Sequence, residues 1–270
     1  MLSIFLPALA FNFVATAHFD RTFFVIPLIG VIVITASMLA GFAVYSLIPY
    51  LNNIPRPAVG VLIFASAFGN VIVLGLPIIS ELLSVEYAYV SILYDQLAAT
   101  PMLLTIGAFI AARYGSGKKV SLAASCKRVL MLPPLWGVIA GIIVHLIGLR
   151  APQLVLETTA LMGKAVVPIM VFMVGLALDF HDVKRLPIAL PALALKMLIG
   201  PVLAWWIGSR FGLAADSLKA ITIVGAMPMM VIALVIADEF DLDVPLTAMC
   251  IAISTVAVFF TLPVVMHLLF

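Results

Sequence analysis

The stretch Phe68-Gly69-Asn70-Val71-Ile72-Val73-Leu74-Gly75-Leu76-Pro77-Ile78 lies inside an apolar run from Ala58 to Ile79 and interrupts it. The run is long enough to cross a bilayer, which takes about 20 apolar residues. Pro77 has no N–H to give and its ring collides with the preceding turn, while Gly69 and Gly75 weaken the helix locally. A second run, Leu218–Ala237, is broken in the same manner at Gly225-Ala226-Met227-Pro228-Met229. A proline kink is the simpler account of either break alone. Matched breaks in two parts of one chain point instead to a binding site at the bilayer midplane.

Composition sets the solvent. Hydrophobic residues make up 65% of the chain and charged residues 10%, whereas a soluble domain is about a quarter charged. A surface with so few charges has to face lipid. The net charge of +2 gives no case for nucleic acid. Cys126 and Cys250 form no ligand cluster, and CxxC and HExxH spacings are absent, so neither a disulfide, a metal nor a cofactor is expected. The first run lacks a basic leader and is followed by more membrane, unlike a cleavable signal. No serine–histidine–acid or paired-carboxylate spacing supports an enzyme.

Nine apolar runs follow one another: Leu2–Ala17, Thr22–Leu47, Ala58–Ile79, Tyr87–Tyr114, Val129–Leu149, Leu154–Leu178, Leu186–Ile207, Leu218–Ala237 and Val244–Phe270. The stretch 113–128 between the fourth and fifth is polar and holds Arg113, Lys118, Lys119, Lys127 and Arg128. Positive loops stay in the cytoplasm, so this linker is placed inside. Alternation then puts Arg56, Lys184 and Arg185 inside and Arg21, Arg150, Arg210 and Lys219 outside, eight against four. The expected location is the plasma (inner) membrane of a bacterium, with a cytoplasmic N-terminus.

The chain repeats itself weakly. Pro7-Ala8-Leu9-Ala10-Phe11 aligns with Pro168-Ile169-Met170-Val171-Phe172, the same offset puts Phe19 on Phe180, and Ala67-Phe68-Gly69-Asn70 matches Ala226-Met227-Pro228 with a small shift. The offset is an odd number of runs, so the two units have opposite orientation. Inverted repeats mark alternating-access carriers. The expected organisation is a first repeat over 1–112, a linker over 113–128 and a second repeat over 129–270.

A broken helix frees backbone N–H groups, and a half-helix N-terminus favours anions. Asn70 offers a donor and an acceptor there. Charges inside spans are costly and usually functional; Asp95, Lys164 and Lys196 are the examples, Lys196 being deepest, unless each snorkels to the interface. Glu157 lies near a helix end, and His145 reads as packing. Met227, Met229 and Met230 flank the second break and can adapt to irregular ligands. The expected substrate-binding set is Gly69, Asn70, Gly75, Pro77, Met227, Pro228, Met229, Asp95 and Lys196.

On these residues the sequence resembles the auxin efflux carrier family, which includes plant PIN carriers and bacterial malonate-type carriers. Asn70-x-x-x-x-Gly75-x-Pro77 is similar to its fourth-helix motif, and AMPMMVIALVIADEF (226–240) to its ninth helix. ALKMLIGP (194–201) resembles an eighth-helix segment with a basic residue, LPALAFNF (6–13) the second helix, and TLP (261–263) the tenth. The resemblance implies an all-α membrane fold of two inverted repeats with crossed broken helices, like bile-acid symporters and sodium/proton antiporters of the NhaA type. Here it would have nine helices and lack the family's first. It further implies an elevator-type secondary transporter of a small carboxylate, auxin- or malonate-like, dimeric through scaffold helices. The alternative is a sodium- or proton-coupled symporter or antiporter of the same fold, with Asp95 as the candidate carboxylate. PIN carriers have a second proline where Ala233 stands, so a softer second break is expected here; they also have a polar pair where Met229 and Met230 stand, so auxin itself is not implied.

Overall fold

The computed structural model describes residues 3–16, 21–47, 54–115, 117, 120–147, 151–176 and 182–270. Lys118, Lys119, Arg150 and the pair Phe19 and Phe180 lie outside these residues. The described chain is helical between short connections: α1 Phe5–Thr16, α2 Arg21–Leu47, α3 Arg56–Ala67, α4 Val71–Leu82, α5 Val85–Tyr114, α6 Leu122–Leu130, α7 Pro133–Leu146, α8 Gln153–Leu176, α9 Val183–Arg210, α10 Ala215–Gly225, α11 Ala233–Glu239 and α12 Val244–Leu269. By length and composition α2, α5, α9 and α12 can each cross a membrane, and the bent pair α6 and α7, 62° apart, adds a fifth candidate.

The broken runs resolve into half-helices. Run three becomes α3 and α4, separated at Phe68-Gly69-Asn70; run eight becomes α10 and α11, separated over 226–232. The first break therefore lies seven residues before Pro77, which sits inside a helix. A wide π turn over Val71–Gly75 precedes it. The same device precedes Pro101, after the π turn Asp95–Ala99, and Pro201, after Leu195–Ile199. The extra residue of a π turn shifts the hydrogen-bond register ahead of a ring that cannot donate.

Two packing groups organise the helices. In one, α1 lies against α7 and α8. Gly137 and Gly141, four residues apart on α7, let the backbone of α1 come close: a Cβ on Gly137 would strike the Pro7 carbonyl, and one on Gly141 would stand 2.8 Å from Val14 Cβ. Small residues at this spacing are how membrane helices approach without a hydrophobic drive. Asn12 on α1 donates to the Leu156 carbonyl at 2.9 Å and to Thr159 Oγ1 at 2.8 Å on α8. In the other group α2, α3, α9 and α12 surround the breaks. Tyr45 on α2 donates to the Ile188 carbonyl at 2.8 Å and accepts from the Ala192 N–H at 3.1 Å. Those two groups are four residues apart, the pair a regular helix joins directly, so the hydroxyl splices the α9 ladder beside Pro191. Arg185 at the start of α9 binds Asp182 at 2.9 Å and Asp243 at 2.6 Å, tying α9 to α12. Arg128 on α6 grips Glu239 at the end of α11 at 2.7 and 3.1 Å.

Candidate functional site

The two breaks meet. The Asn70 N–H donates to the Pro228 carbonyl at 2.7 Å, and the Met230 N–H donates to the Phe68 carbonyl at 3.0 Å. Gly69 and Met229 thereby pair as an isolated antiparallel bridge. Unwound backbone cannot be left unpaired in an apolar interior, where each lost hydrogen bond costs about 1–3 kcal/mol; these two segments pair with each other. The Met229 N–H between them is taken by Ser254 Oγ of α12 at 3.1 Å. Side chains of Phe68, Asn70, Met227, Met229 and Met230 are all buried.

Lys196 joins this crossing from α9. It is 3% exposed, and its ammonium donates to the Gly225 carbonyl at 2.6 Å. That carbonyl ends α10, where helical oxygens lack a partner and the dipole favours a cation. The same side chain lies against Gly69: a Cβ there would stand 2.8 Å from Lys196 Cε and 3.0 Å from Nζ. Snorkelling is thus excluded for Lys196. Lys164, in contrast, is exposed on α8 and stands apart from this cluster.

The Asn70 side chain is buried, and its Nδ2 has no partner. A buried amide donor left open, next in sequence to the Gly69 against which the Lys196 side chain lies, is chemistry suited to an anion. Gly75 and Pro77 enter differently from what the sequence suggests. Neither makes the break; Gly75 gives room to Met227, whose Cγ would stand 3.1 Å from a Cβ at that position. Pro77 is buried in α4. Met227 is fully buried across α4, and Met229 is held by its backbone.

Asp95 is 3% exposed on α5, but no ion pair joins it to Lys196 among the described residues. Its Oδ2 accepts from Gln96 Nε2 at 2.7 Å and from Thr100 Oγ1 at 2.9 Å, and its Oδ1 has no partner. Ser91, one turn earlier, faces the crossing: its Oγ would lie 3.5 Å from a Cβ on Gly75, and it too is unpartnered. Ser91, Gln96, Thr100 and Ser254 are not among the candidates the sequence offers; Gly225 is, as part of the second break. Single hydroxyls in apolar runs have no spacing signal; Gln96, next to Asp95, was the one with a cue.

A family model described as "Membrane transport protein" matches residues 1–266. The chain is 29% identical over 202 residues to an uncharacterized transporter of Methanothermobacter thermautotrophicus, an alignment covering 74% of this chain and 64% of that protein. It is 23% identical over 229 residues to an uncharacterized transporter of Methanocaldococcus jannaschii, covering 83% of this chain and 73% of that one.

Proposed function

The chain belongs to the membrane transport protein family, that of the auxin efflux carriers, and is an integral membrane protein; from that premise we propose that it is a secondary transporter of a small organic anion. The substrate class is a carboxylate, auxin- or malonate-like in size. The observation that carries this reading is the open Asn70 amide at the crossing of two broken helices, with the buried Lys196 side chain against the neighbouring Gly69. In the proposed cycle the carboxylate accepts from Asn70 and from Lys196. The group around the crossing then moves as an elevator against α1, α7 and α8, which serve as scaffold and dimer contact. The two halves, 1–112 and 129–270, act as inverted repeats, and the 113–128 linker stays on the cytoplasmic side of the plasma membrane.

The test is flux. Purified protein is reconstituted in liposomes and challenged with a panel of radiolabelled mono- and dicarboxylates that includes indole-3-acetate and malonate. Saturable uptake of at least one, competed by its neighbours in the panel, is the expected result. No saturable flux for any of them removes the anion reading.

A further inference from the structure

Asp95 and Lys196 are the two charged side chains buried in the described part of the protein. One is negative and one positive, and they do not touch. With both ionised the interior is neutral. A carboxylate entering beside Lys196 would leave it one negative charge in excess, and an uncompensated charge at membrane depth is strongly disfavoured. The balance is restored when one proton joins the interior with the anion.

The hydrogen bonds around Asp95 say where that proton goes. Oδ2 already accepts from Gln96 and Thr100, whereas Oδ1 accepts from nothing. The unpartnered hydroxyl of Ser91 lies one turn away on the same helix, as an acceptor for an Oδ1–H once the side chains turn. A metal cation needs several converging oxygens, and here one carboxylate oxygen and one hydroxyl are open. We propose that the protein is a proton–anion symporter in which Asp95 Oδ1 carries the proton, bound together with the carboxylate at Asn70 and Lys196. This rests on the anion-transport reading and fixes its coupling ion. The O–H bond forms with a proton from one aqueous side and breaks to release it on the other. Other titratable groups on the elements packed against Asp95 are Tyr87, Tyr89, Tyr94 and Tyr114 on its own helix, Glu86 and Arg113 near its ends, Arg21 and Tyr45 at the ends of α2, and His145 at the end of α7.

Two measurements test it. The first needs no substrate: infrared spectroscopy of the purified protein at neutral pH, with Asp95→Asn to assign the band. Wild type shows Asp95 ionised. Lys196→Met, which deletes the balancing charge, shows its protonated carboxyl band; if that variant does not fold, Lys196→Gln carries the same expectation. Lys196→Arg keeps Asp95 ionised. An Asp95 that stays ionised without a cation at 196 overturns the charge coupling. The second uses the liposomes: uptake of indole-3-acetate, or of another monovalent panel member that shows flux, alkalinises the outside by one proton per molecule, and apparent affinity rises about tenfold per pH unit of acidification until Asp95 is protonated. In Asp95→Asn residual flux runs without protons. Flux driven by a sodium gradient at fixed pH, or flux without proton movement, overturns the proposal and leaves the transport reading standing. Absence of any flux removes the transport reading while the infrared result still reports on the coupled pair.

Discussion

The main-chain N–H of Asn70 donates to the carbonyl of Pro228 across 2.7 Å, joining residues 158 positions apart. The crossing is therefore made by backbone, and the Asn70 side chain is released from any structural duty: its Nδ2 is buried and unbonded. That division decides what substitutions at the site do.

Asn70→Ala separates binding from folding. The backbone bond to Pro228 survives, so the melting temperature in detergent stays within a few degrees of wild type. Loss of one hydrogen bond to a charged group weakens binding by about 1.5–3 kcal/mol, roughly ten- to a hundredfold. Titration calorimetry with the carboxylate that shows flux measures it, and an unchanged dissociation constant refutes the assignment.

Gly69→Ala puts a methyl 2.8 Å from Lys196 Cε. The lysine has to leave the Gly225 carbonyl or the bridge has to open. A cost of about 1–3 kcal/mol is expected for overpacking, read as a lowered melting temperature, with transport falling further than expression.

Ser254→Ala leaves the Met229 N–H, 3.1 Å from that hydroxyl, buried without a partner. The expected destabilisation is about 1–3 kcal/mol. Ser254→Thr keeps the hydroxyl and retains most of the stability; equal losses in the two variants would show that the hydrogen bond is not what matters.

Tyr45→Phe removes the hydroxyl that splices the α9 ladder between Ile188 and Ala192. The helix can close on itself only by shifting near Pro191. A loss of about 1–3 kcal/mol is expected, with faster amide exchange at Ala192.

The clip at Asp243 gives a pH signature. Burial pushes this carboxyl up, but the Arg185 hydrogen bond, the Leu246 N–H and the Arg185 charge outweigh it and hold the carboxyl below its usual value. A depressed folded value means the stabilisation is present above the unfolded value of about 3.9 and is lost as pH falls through the folded one. The melting temperature should drop as pH falls below the unfolded value in wild type, and less in Asp243→Asn. Parallel curves would remove the clip from the account.

The breaks were legible in the sequence because Gly, Asn and Pro stand out in apolar runs, and Lys196 because its flanks Leu195, Leu198 and Ile199 mark it as the deepest charge, although snorkelling to the interface stays open from sequence alone. Their placement was less so. Pro77 looks like the breaking residue, yet the π turn at Val71–Gly75 absorbs it and the chain unwinds at Phe68–Asn70, where only Gly69 and Asn70 hint at it. Pairing of Asp95 with Lys196 was conceivable from charge alone; their separate hydrogen bonds are tertiary facts that no spacing encodes. Lys164 looked like Lys196 in hydropathy and differs in facing outward, a distinction set by which side of α8 meets α1.

The bridge between Gly69 and Met229 also has a history in time. When α3 and α4 emerge from the ribosome, the partner strand has not been synthesised, since it lies some 160 residues later. The unwound groups at Phe68 and Asn70 have no mate until residue 230 is made, and lipid offers them none. Insertion cannot finish helix by helix from the N-terminus: the first broken helix has to wait, shielded by the insertion machinery or by water, until α10 and α11 arrive to close it. A nascent chain arrested before residue 226 would hold that break open, a state in which cross-linking from position 70 finds translocon or chaperone rather than its own second half.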